Sequence, residues 1–136
     1  MLSAEERLEQ LEKLLQELED LSEKWPVIVE GARDVEALNR MGIKKNVMQL
    51  NKGMSVFSFC ENLSRTKKEA VILTDWDRRG GRLARMLKDG LEANGVRAND
   101  RIRTQMVILS KKEVKDIESM PTFIERLRVM AVNQRL

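Results

Sequence analysis

Residues 70–80 read AVILTDWDRRG and are the most strongly strand-like part of the chain. Its first half is apolar and β-branched, a composition typical of a strand buried on both faces. Its second half is charged, with Asp75 and Asp77 on either side of Trp76 and arginines after them. In an open parallel sheet, ligands bind at the carboxyl ends of the strands. The stretch therefore predicts a buried strand, Ala70–Thr74, that ends at an acidic functional turn.

Short apolar runs of the same kind alternate with helical patterns along the chain. Four runs predict strands, at Val27–Val29, Val47–Leu50, Ala70–Thr74 and Met106–Leu109. Apolar residues spaced by three and four predict helices between them, the longest from about Gly81 to Asn94. A short helical turn around Val114–Ile117 and a final helix from about Pro121 complete the pattern. Such alternation predicts a three-layer α/β domain, with helices on both faces of a flavodoxin-like, mainly parallel sheet in the order 2-1-3-4.

Residues 1–24 predict a separate amphipathic helix in front of a domain that spans residues 25–136. Ser3 and Glu6 form a capping box at its start, and Pro26 stops it. Leucines that recur every three or four residues give it an apolar stripe: Leu8, Leu11, Leu15 and Leu18. This stripe predicts either a helix packed on the domain or a seam for pairing, so a homodimer or a partner protein at this helix stays open.

Charge is distributed unevenly along the 136 residues. Residues 1–24 hold eight acids and three bases, a net charge of −5, whereas residues 25–136 hold 14 acids and 22 bases, a net charge of +8. A basic body attracts phosphate-rich partners. We therefore expect nucleic acid, either RNA or DNA, to be the partner of the domain.

The residue types that the sequence lacks exclude several kinds of catalytic and metal site. The chain has no histidine and no tyrosine, and Cys60 is its one cysteine. Histidine-based acid–base catalysis, Ser-His-Asp triads and cysteine zinc clusters are therefore excluded. No apolar run approaches the roughly 20 residues of a membrane span, and the N-terminus is unlike a secretory signal. We expect a cytoplasmic protein that works with carboxylates, amines and hydroxyls, together with a hard metal ion.

Acidic residues end two predicted strands that are neighbours in the order 2-1-3-4. Glu30 follows strand one, and Asp75 and Asp77 follow strand three. The three carboxylates should converge on one crevice, where they repel one another unless a cation neutralises them. All-oxygen ligands suit Mg²⁺ or Mn²⁺. These residues therefore predict a Mg²⁺ site, although Asp77 is also placed to cap the next helix.

The surroundings of the acidic turn favour a phosphate ligand. Four arginines follow it and are candidate phosphate-binding residues: Arg78, Arg79, Arg82 and Arg85. Gly80 and Gly81 precede a predicted helix, whose free N–H groups attract anions. Gly31 is expected to give similar backbone freedom after strand one. The simpler alternatives are that the arginines form a solvated helix surface and that Asp34 interacts with the positive end of its helix dipole.

Two motifs of the chain together resemble the Toprim domain, the catalytic module of topoisomerases, bacterial-type primases and some ribosomal-RNA maturation nucleases. The first is an apolar strand that ends in Glu-Gly with Asp three residues later, VIVEGARD at residues 27–34. The second is an apolar strand that ends in Asp-x-Asp-x-x-Gly, VILTDWDRRG at residues 71–80. The resemblance covers roughly residues 25–110 and is greatest for small stand-alone Toprim proteins and the maturation-nuclease branch.

The resemblance implies roles for the acidic residues. Glu30 would be the general acid/base, or a metal-linked carboxylate, during phosphoryl transfer. Asp75 and Asp77 would hold one or two Mg²⁺ ions, for which Mn²⁺ could substitute. Asp34 and the motif glycines would support the site.

The resemblance also implies a function. We expect a Mg²⁺-dependent protein that transfers phosphoryl groups of nucleic acid, most simply a small nuclease. Without a tyrosine, the chain cannot on its own cleave DNA as topoisomerases do. Two alternatives stay open: a non-catalytic Mg²⁺-binding adaptor that recruits nucleic acid or protein, and a primase-like polymerising activity.

Overall fold

A computed structural model of the chain describes residues 1–50, 52–110 and 112–135. Within these residues one sheet has four strands: β1 Val27–Val29, β2 Val47–Gln49, β3 Glu69–Ile72 and β4 Arg97–Asn99. Each neighbouring pair is parallel, and the order is β2-β1-β3-β4. The predicted α/β fold and strand order are therefore confirmed.

Helices cover both faces of this sheet. Those in the described part of the chain are α1 Ala4–Ser22, α2 Ala32–Arg40, α3 Val56–Ser64, α4 Arg78–Ala93, α5 Arg101–Ser110 and α6 Met120–Arg135. Successive strand residues point to opposite faces. Val27 and Val29 therefore lie in a core with α1, α2, α5 and α6, whereas Ile28 lies in a second core with α3 and α4. None of the described helices combines the length and the hydropathy that a membrane span needs.

Helix α1 packs on the sheet domain through its leucine stripe. The capping box of Ser3 and Glu6 is present at its start. Leu11, Leu15 and Leu18 are buried in the same core as residues of α5 and α6. The stripe therefore contributes to the core of this chain, which is the first of the two uses expected for it.

The prediction of a fourth strand at Met106–Leu109 is wrong, because these residues lie in α5. Ile102, Met106 and Leu109 are buried at the spacing of a helix face. The fourth strand is Arg97–Asn99, a short edge strand that is partly exposed and has a single apolar residue. A strand of that composition has no hydrophobic pattern to detect. Its place beside β3 leaves the predicted order intact.

Two further boundaries differ from the sequence prediction. Helix α4 begins at Arg78 rather than at Gly81, because Asp77 caps it by accepting a hydrogen bond from the backbone N–H of Gly80. Residues 114–117 are not helical. Their backbone groups bond instead to the turn that follows β3. The first difference is due to a local helix cap, and the second to hydrogen bonds between distant parts of the chain.

Candidate active site at the ends of β1 and β3

The carboxyl ends of β1 and β3 bring Glu30 and Asp75 into contact. Ile28 is in register with Ile72, and the backbone N–H of Leu73 donates to the carbonyl of Ile28 at 2.8 Å. Just beyond the strands, the backbone N–H of Asp75 donates to Glu30 Oε2 at 2.8 Å. A direct hydrogen bond thus joins residues that are 45 positions apart in the sequence.

The carboxylate of Glu30 has a partner on each of its oxygens. Oε2 accepts the hydrogen bond from Asp75, and Oε1 pairs with Arg79 Nη2 at 2.5 Å. The side chain of Glu30 is only 10% exposed, whereas that of Arg79 is 68% exposed. The centre of the site is therefore a nearly buried carboxylate whose counter-ion is a surface arginine.

Asp75 lies in a crowded acidic environment. The pKa of its carboxyl is raised from 3.8 to about 7, first of all by burial. The hydrogen bond that Oδ1 accepts from the backbone N–H of Ile117, at 3.2 Å, opposes this rise. The negative charges of Asp34, Glu30 and Asp116 add to it. Repulsion among neighbouring carboxylates favours their protonated forms, and a bound cation favours the ionised forms.

Asp77 is the N-cap of α4, so the capping alternative is observed. Its Oδ1 accepts from the backbone N–H of Gly80 at 2.6 Å. Over residues 1–50, 52–110 and 112–135, no group of three or more Asp, Glu, Cys or His side chains is arranged to hold a metal ion. The structure thus joins Glu30 to Asp75 and leaves Asp77 capping the adjacent helix.

The side chains of this site fit Mg²⁺ in chemical kind. The candidate ligands are carboxylates, and oxygen is the ligand atom that Mg²⁺ prefers. Burial raises the pKa of Asp75 most, and the negative charges of Asp34, Glu30 and Asp116 raise it further. A divalent cation would offset the repulsion among these charges. Glu30 and Asp75 are therefore the best-placed residues to hold Mg²⁺, with Asp77 as the third candidate.

Asp34 supports the turn after β1. Its Oδ2 accepts a hydrogen bond from the backbone N–H of Gly31 at 3.1 Å, and its pKa is raised, chiefly by burial. Gly31 has extended backbone, with φ −154°, and a Cβ there would meet nothing within 4 Å. The backbone freedom expected of Gly31 is therefore not needed. The residue contributes its N–H instead.

Gly80 is required by a close approach of two backbone segments. A Cβ at this position would overlap the carbonyl oxygen of Asp75 and lie 2.5 Å from its carbonyl carbon. Thr74 Oγ1 also donates to the carbonyl of Gly80 at 2.8 Å. The first turn of α4 is therefore pressed against the chain that leaves β3, and only glycine fits this contact.

The arginines of α4 fall into two sets. Arg79 pairs with Glu30. Arg78, Arg82 and Arg85 are exposed and recur at helical spacing, and within the described part of the chain they have no hydrogen bond or ion pair. These three guanidinium groups are therefore available to an anionic ligand such as phosphate.

Arg103 of α5 is a site residue that the sequence pattern does not reveal. Its Nε donates to the carbonyl of Thr74 at 2.9 Å, and its Nη2 donates to the carbonyl of Asp75 at 2.7 Å. Burial lowers the pKa of its guanidinium, although the charges of Asp100 and Asp75 oppose this change. Its position beside the turn depends on α5, which the pattern does not predict. A test for helical spacing from Ile102 onward would have found that helix.

The loop before α6 lies against the acidic turn and is held by Trp76. The backbone N–H of Trp76 donates to the carbonyl of Lys115 at 2.9 Å, and its Nε1 donates to the carbonyl of Val114 at 2.8 Å. The same loop supplies the N–H of Ile117 that bonds to Asp75. The tryptophan between the two aspartates therefore anchors a loop that orients the Asp75 carboxylate.

A cleft of about 430 Å³ opens beside Glu30 at the carboxyl ends of β1 and β2. It is lined by Glu30, Gly31, Ala32, Gln49, Leu50 and Lys52. Gln49 and Lys52 are exposed and polar, so they can reach a ligand in this cleft. The site therefore has room for part of a ligand next to its central carboxylate.

Comparison with known proteins agrees with the motifs. The family model described as the Toprim domain matches residues 25–106, which contain Glu30, Asp75 and Asp77. A UPF0292 protein of Methanosarcina barkeri is 44% identical over 124 residues, which cover 90% of this chain and 86% of the relative. A UPF0292 protein of Methanocaldococcus jannaschii is 35% identical over 124 residues, which cover 88% of this chain and 96% of the relative.

The fold also occurs in a solved structure. A protein from Aquifex aeolicus superimposes with a TM-score of 0.68 at 28% sequence identity. The match covers 80% of this chain and 96% of that protein.

Proposed function

From the premise that this chain belongs to the Toprim domain family and to the UPF0292 proteins, we propose that it is a small Mg²⁺-dependent nuclease. Membership of this family indicates a metal-dependent function related to nucleic acid. Cleavage of a phosphodiester is what we propose beyond it. The observation that carries it is the hydrogen bond from Asp75 N–H to Glu30 Oε2, which unites the two motifs at one point.

The residues of the site have separable tasks in such a reaction. Mg²⁺ held by Glu30, Asp75 and Asp77 would polarise a phosphoryl oxygen and lower the pKa of water. Mn²⁺ has the same ligand preference and can substitute for it. Glu30 would accept the proton of the attacking water as the P–O bond breaks, and the departing oxygen would take a proton from solvent.

The remaining residues would bind and position rather than react. The exposed arginines of α4, Arg78, Arg82 and Arg85, would contact phosphates on either side of the scissile bond. Arg103 and Trp76 would hold the turn that carries Asp75. RNA and DNA both supply these phosphates, so a cleavage assay must determine which of the two is the substrate.

The test is a cleavage assay on labelled single- and double-stranded RNA and DNA with Mg²⁺, Mn²⁺ or a chelator. We expect cleavage only with metal, and a loss of roughly a hundredfold or more in Glu30→Gln and Asp75→Asn, since a general acid or base contributes about that much. Glu92→Gln is the matched control, because Glu92 is exposed in the last turn of α4, away from the site. Cleavage that persists in chelator or in Asp75→Asn would rule out this mechanism.

One observation favours a second candidate, a Mg²⁺-binding adaptor that holds nucleic acid without cleaving it. Both oxygens of Glu30 are engaged in the structure, and within the described residues the three candidate carboxylates do not form one cluster. An adaptor would bind labelled nucleic acid without product in the same assay. Replacing Arg82 and Arg85 by alanine should then weaken binding across all sequences and lower the salt dependence by about one unit of slope per lost phosphate contact. Arg126→Ala in α6 serves as the control, and binding that is independent of salt would exclude the adaptor.

A further inference from the structure

We propose that Arg79 couples phosphate binding to metal binding. In the free protein its guanidinium is paired with the carboxylate of Glu30. A phosphate of the nucleic acid would bind the guanidinium instead, and Glu30 would then be available to the cation. The proposal deepens the proposed function and rests on it, because it concerns the same Mg²⁺ site.

A cation that binds Glu30 competes with a partner that is already present on each carboxylate oxygen. Oε2 is held by the backbone N–H of Asp75, and Oε1 by Arg79 Nη2. The turn that supplies the backbone N–H is fixed by Arg103 on its carbonyls and by Gly80 packed against it. Arg79 is therefore the partner that can leave.

The surface member of this ion pair can change partner. The side chain of Arg79 is 68% exposed, so water can solvate its guanidinium when it leaves the carboxylate. Glu30 is only 10% exposed, so its position changes little when the arginine leaves. The buried member stays in place while the surface member changes partner.

The phosphate that would compete for Arg79 binds on the same helix. Arg79 lies in the first turn of α4, where Arg78 precedes it and Arg82 follows one turn later. Both neighbours are exposed and lack a partner among the described residues, so a phosphate that binds them comes within reach of Arg79. The planar guanidinium fork matches phosphate as well as it matches carboxylate.

The consequence is positive coupling between two ligands. A phosphate that engages Arg79 removes the competitor of the metal, and a metal on Glu30 frees Arg79 for phosphate. Such coupling is reciprocal, because each ligand must raise the affinity of the other by the same factor. The free protein would hold its metal weakly and bind it well only with nucleic acid present.

The experiment is a calorimetric titration of the metal-free full chain with Mg²⁺ alone. We expect Arg79→Ala to bind Mg²⁺ roughly three- to tenfold more tightly than the unchanged protein, the range expected when one charge-assisted contact no longer competes. Arg78→Ala is the matched control. It removes the same charge one residue away without touching Glu30, and we expect less than about a twofold change from it.

A second titration adds a single-stranded DNA oligonucleotide with phosphorothioate linkages, which resists cleavage. It should tighten Mg²⁺ binding by the unchanged protein, and Arg79→Ala should lose part of that gain. Arg79→Gln repeats both measurements with a neutral side chain of similar length, and thermal unfolding checks that each variant is folded.

The outcomes separate this proposal from the proposed function. Equal or weaker Mg²⁺ binding by both Arg79 variants would overturn the coupling and leave a metal-dependent nuclease intact. Tighter binding without cleavage of any substrate would support the coupling and point to the adaptor. Absence of Mg²⁺ binding by every variant, with or without oligonucleotide, would overturn both.

Discussion

The turns that follow β1 and β3 have similar motifs but different construction. Each joins a buried strand to a helix, and each carries an acidic residue and a glycine. After β1, a Cβ on the glycine would meet nothing within 4 Å, and the side chain of Asp34 accepts a hydrogen bond from the backbone of the turn. After β3, Gly80 is packed against backbone, and Arg103 and Trp76 both bond the turn to other parts of the chain. We therefore call the turn after β1 the open turn and the turn after β3 the clamped turn.

The difference indicates a division of work within the site. The clamped turn holds Asp75 in place. The backbone N–H of Asp75 donates to Glu30, and its carboxylate accepts from the backbone N–H of Ile117. The open turn borders the cleft beside Glu30, where a ligand needs room. We therefore interpret the turn after β3 as the rigid half of the site and the turn after β1 as its adaptable half.

The two turns should differ most in how much stability the protein loses when their glycines are replaced by alanine. Gly80→Ala should destabilise the protein by about 3 kcal/mol or more, because the added methyl group overlaps the Asp75 carbonyl and the backbone must separate. Gly31→Ala should change stability by less than about 1 kcal/mol, since its Cβ meets nothing and its backbone is extended. Chemical denaturation of both variants measures the difference.

Gly81 provides the control within the same helix. A Cβ there comes no closer than 4.0 Å to any neighbour, at the side chain of Arg103. Gly81→Ala should therefore be neutral or stabilising, because alanine favours the helix over glycine. Similar losses at Gly80 and Gly31 would show that the two turns are built alike after all.

The next effect concerns Arg103, which clamps the rigid turn from α5. Arg103→Ala should cost about 1–3 kcal/mol, because the carbonyls of Thr74 and Asp75 lose charged donors in a half-buried setting. Arg103→Lys should restore only part of this, since an ammonium cannot bond both carbonyls in the manner of the guanidinium fork. Thermal unfolding compares both variants with Arg126→Ala on the exposed side of α6. A lysine that restores full stability would show that charge alone matters at this position.

The sequence predicts much of this arrangement because its centre is built from buried strands. β1 is apolar along its length, residues 70–73 in and after β3 are apolar, and acidic residues follow both segments, so the acidic turns are visible in the pattern. Parallel topology then brings Glu30 and Asp75 together, and the structure confirms that contact. Local composition and the general rules of sheet packing are therefore sufficient to predict the two central strands and the meeting of their acidic turns.

The remainder depends on contacts between residues that are distant in sequence. β4 is an edge strand with almost no apolar side chains, so nothing in its composition distinguishes it from a loop. Because the apolar residues of α5 are mistaken for that strand, Arg103 is missed as well. The pairing of Arg79 with Glu30 and the anchoring of Trp76 require side-chain geometry that no spacing rule supplies.

The pH dependence of stability should show a smaller difference between the two turns, through buried Asp34 in one and half-buried Asp75 in the other. The pKa of Asp75 is about 7 in the folded protein against an ordinary value of 3.8, so between these values the folded chain keeps a proton that the unfolded chain releases. The stability of the metal-free protein should therefore fall as the pH rises through this window. Asp75→Asn keeps an acceptor for the N–H of Ile117 and cannot ionise, so it should abolish this loss.

In chelator above pH 7, Asp75→Asn should thus be more stable than the unchanged protein by roughly 1 kcal/mol. The full shift corresponds to about 4 kcal/mol, but solvent screens a partly exposed carboxyl. Near pH 4 the two proteins should be nearly equal in stability. Adding Mg²⁺ should stabilise only the unchanged protein. Asp34→Asn, in the open turn, tests the other half, because the pKa of Asp34 is also raised, chiefly by burial. We expect the same direction of change and a smaller amplitude, measured as unfolding midpoints across the pH range. A larger gain from Asp34→Asn than from Asp75→Asn would place the greater electrostatic cost in the turn after β1 and reverse the assignment of the two halves.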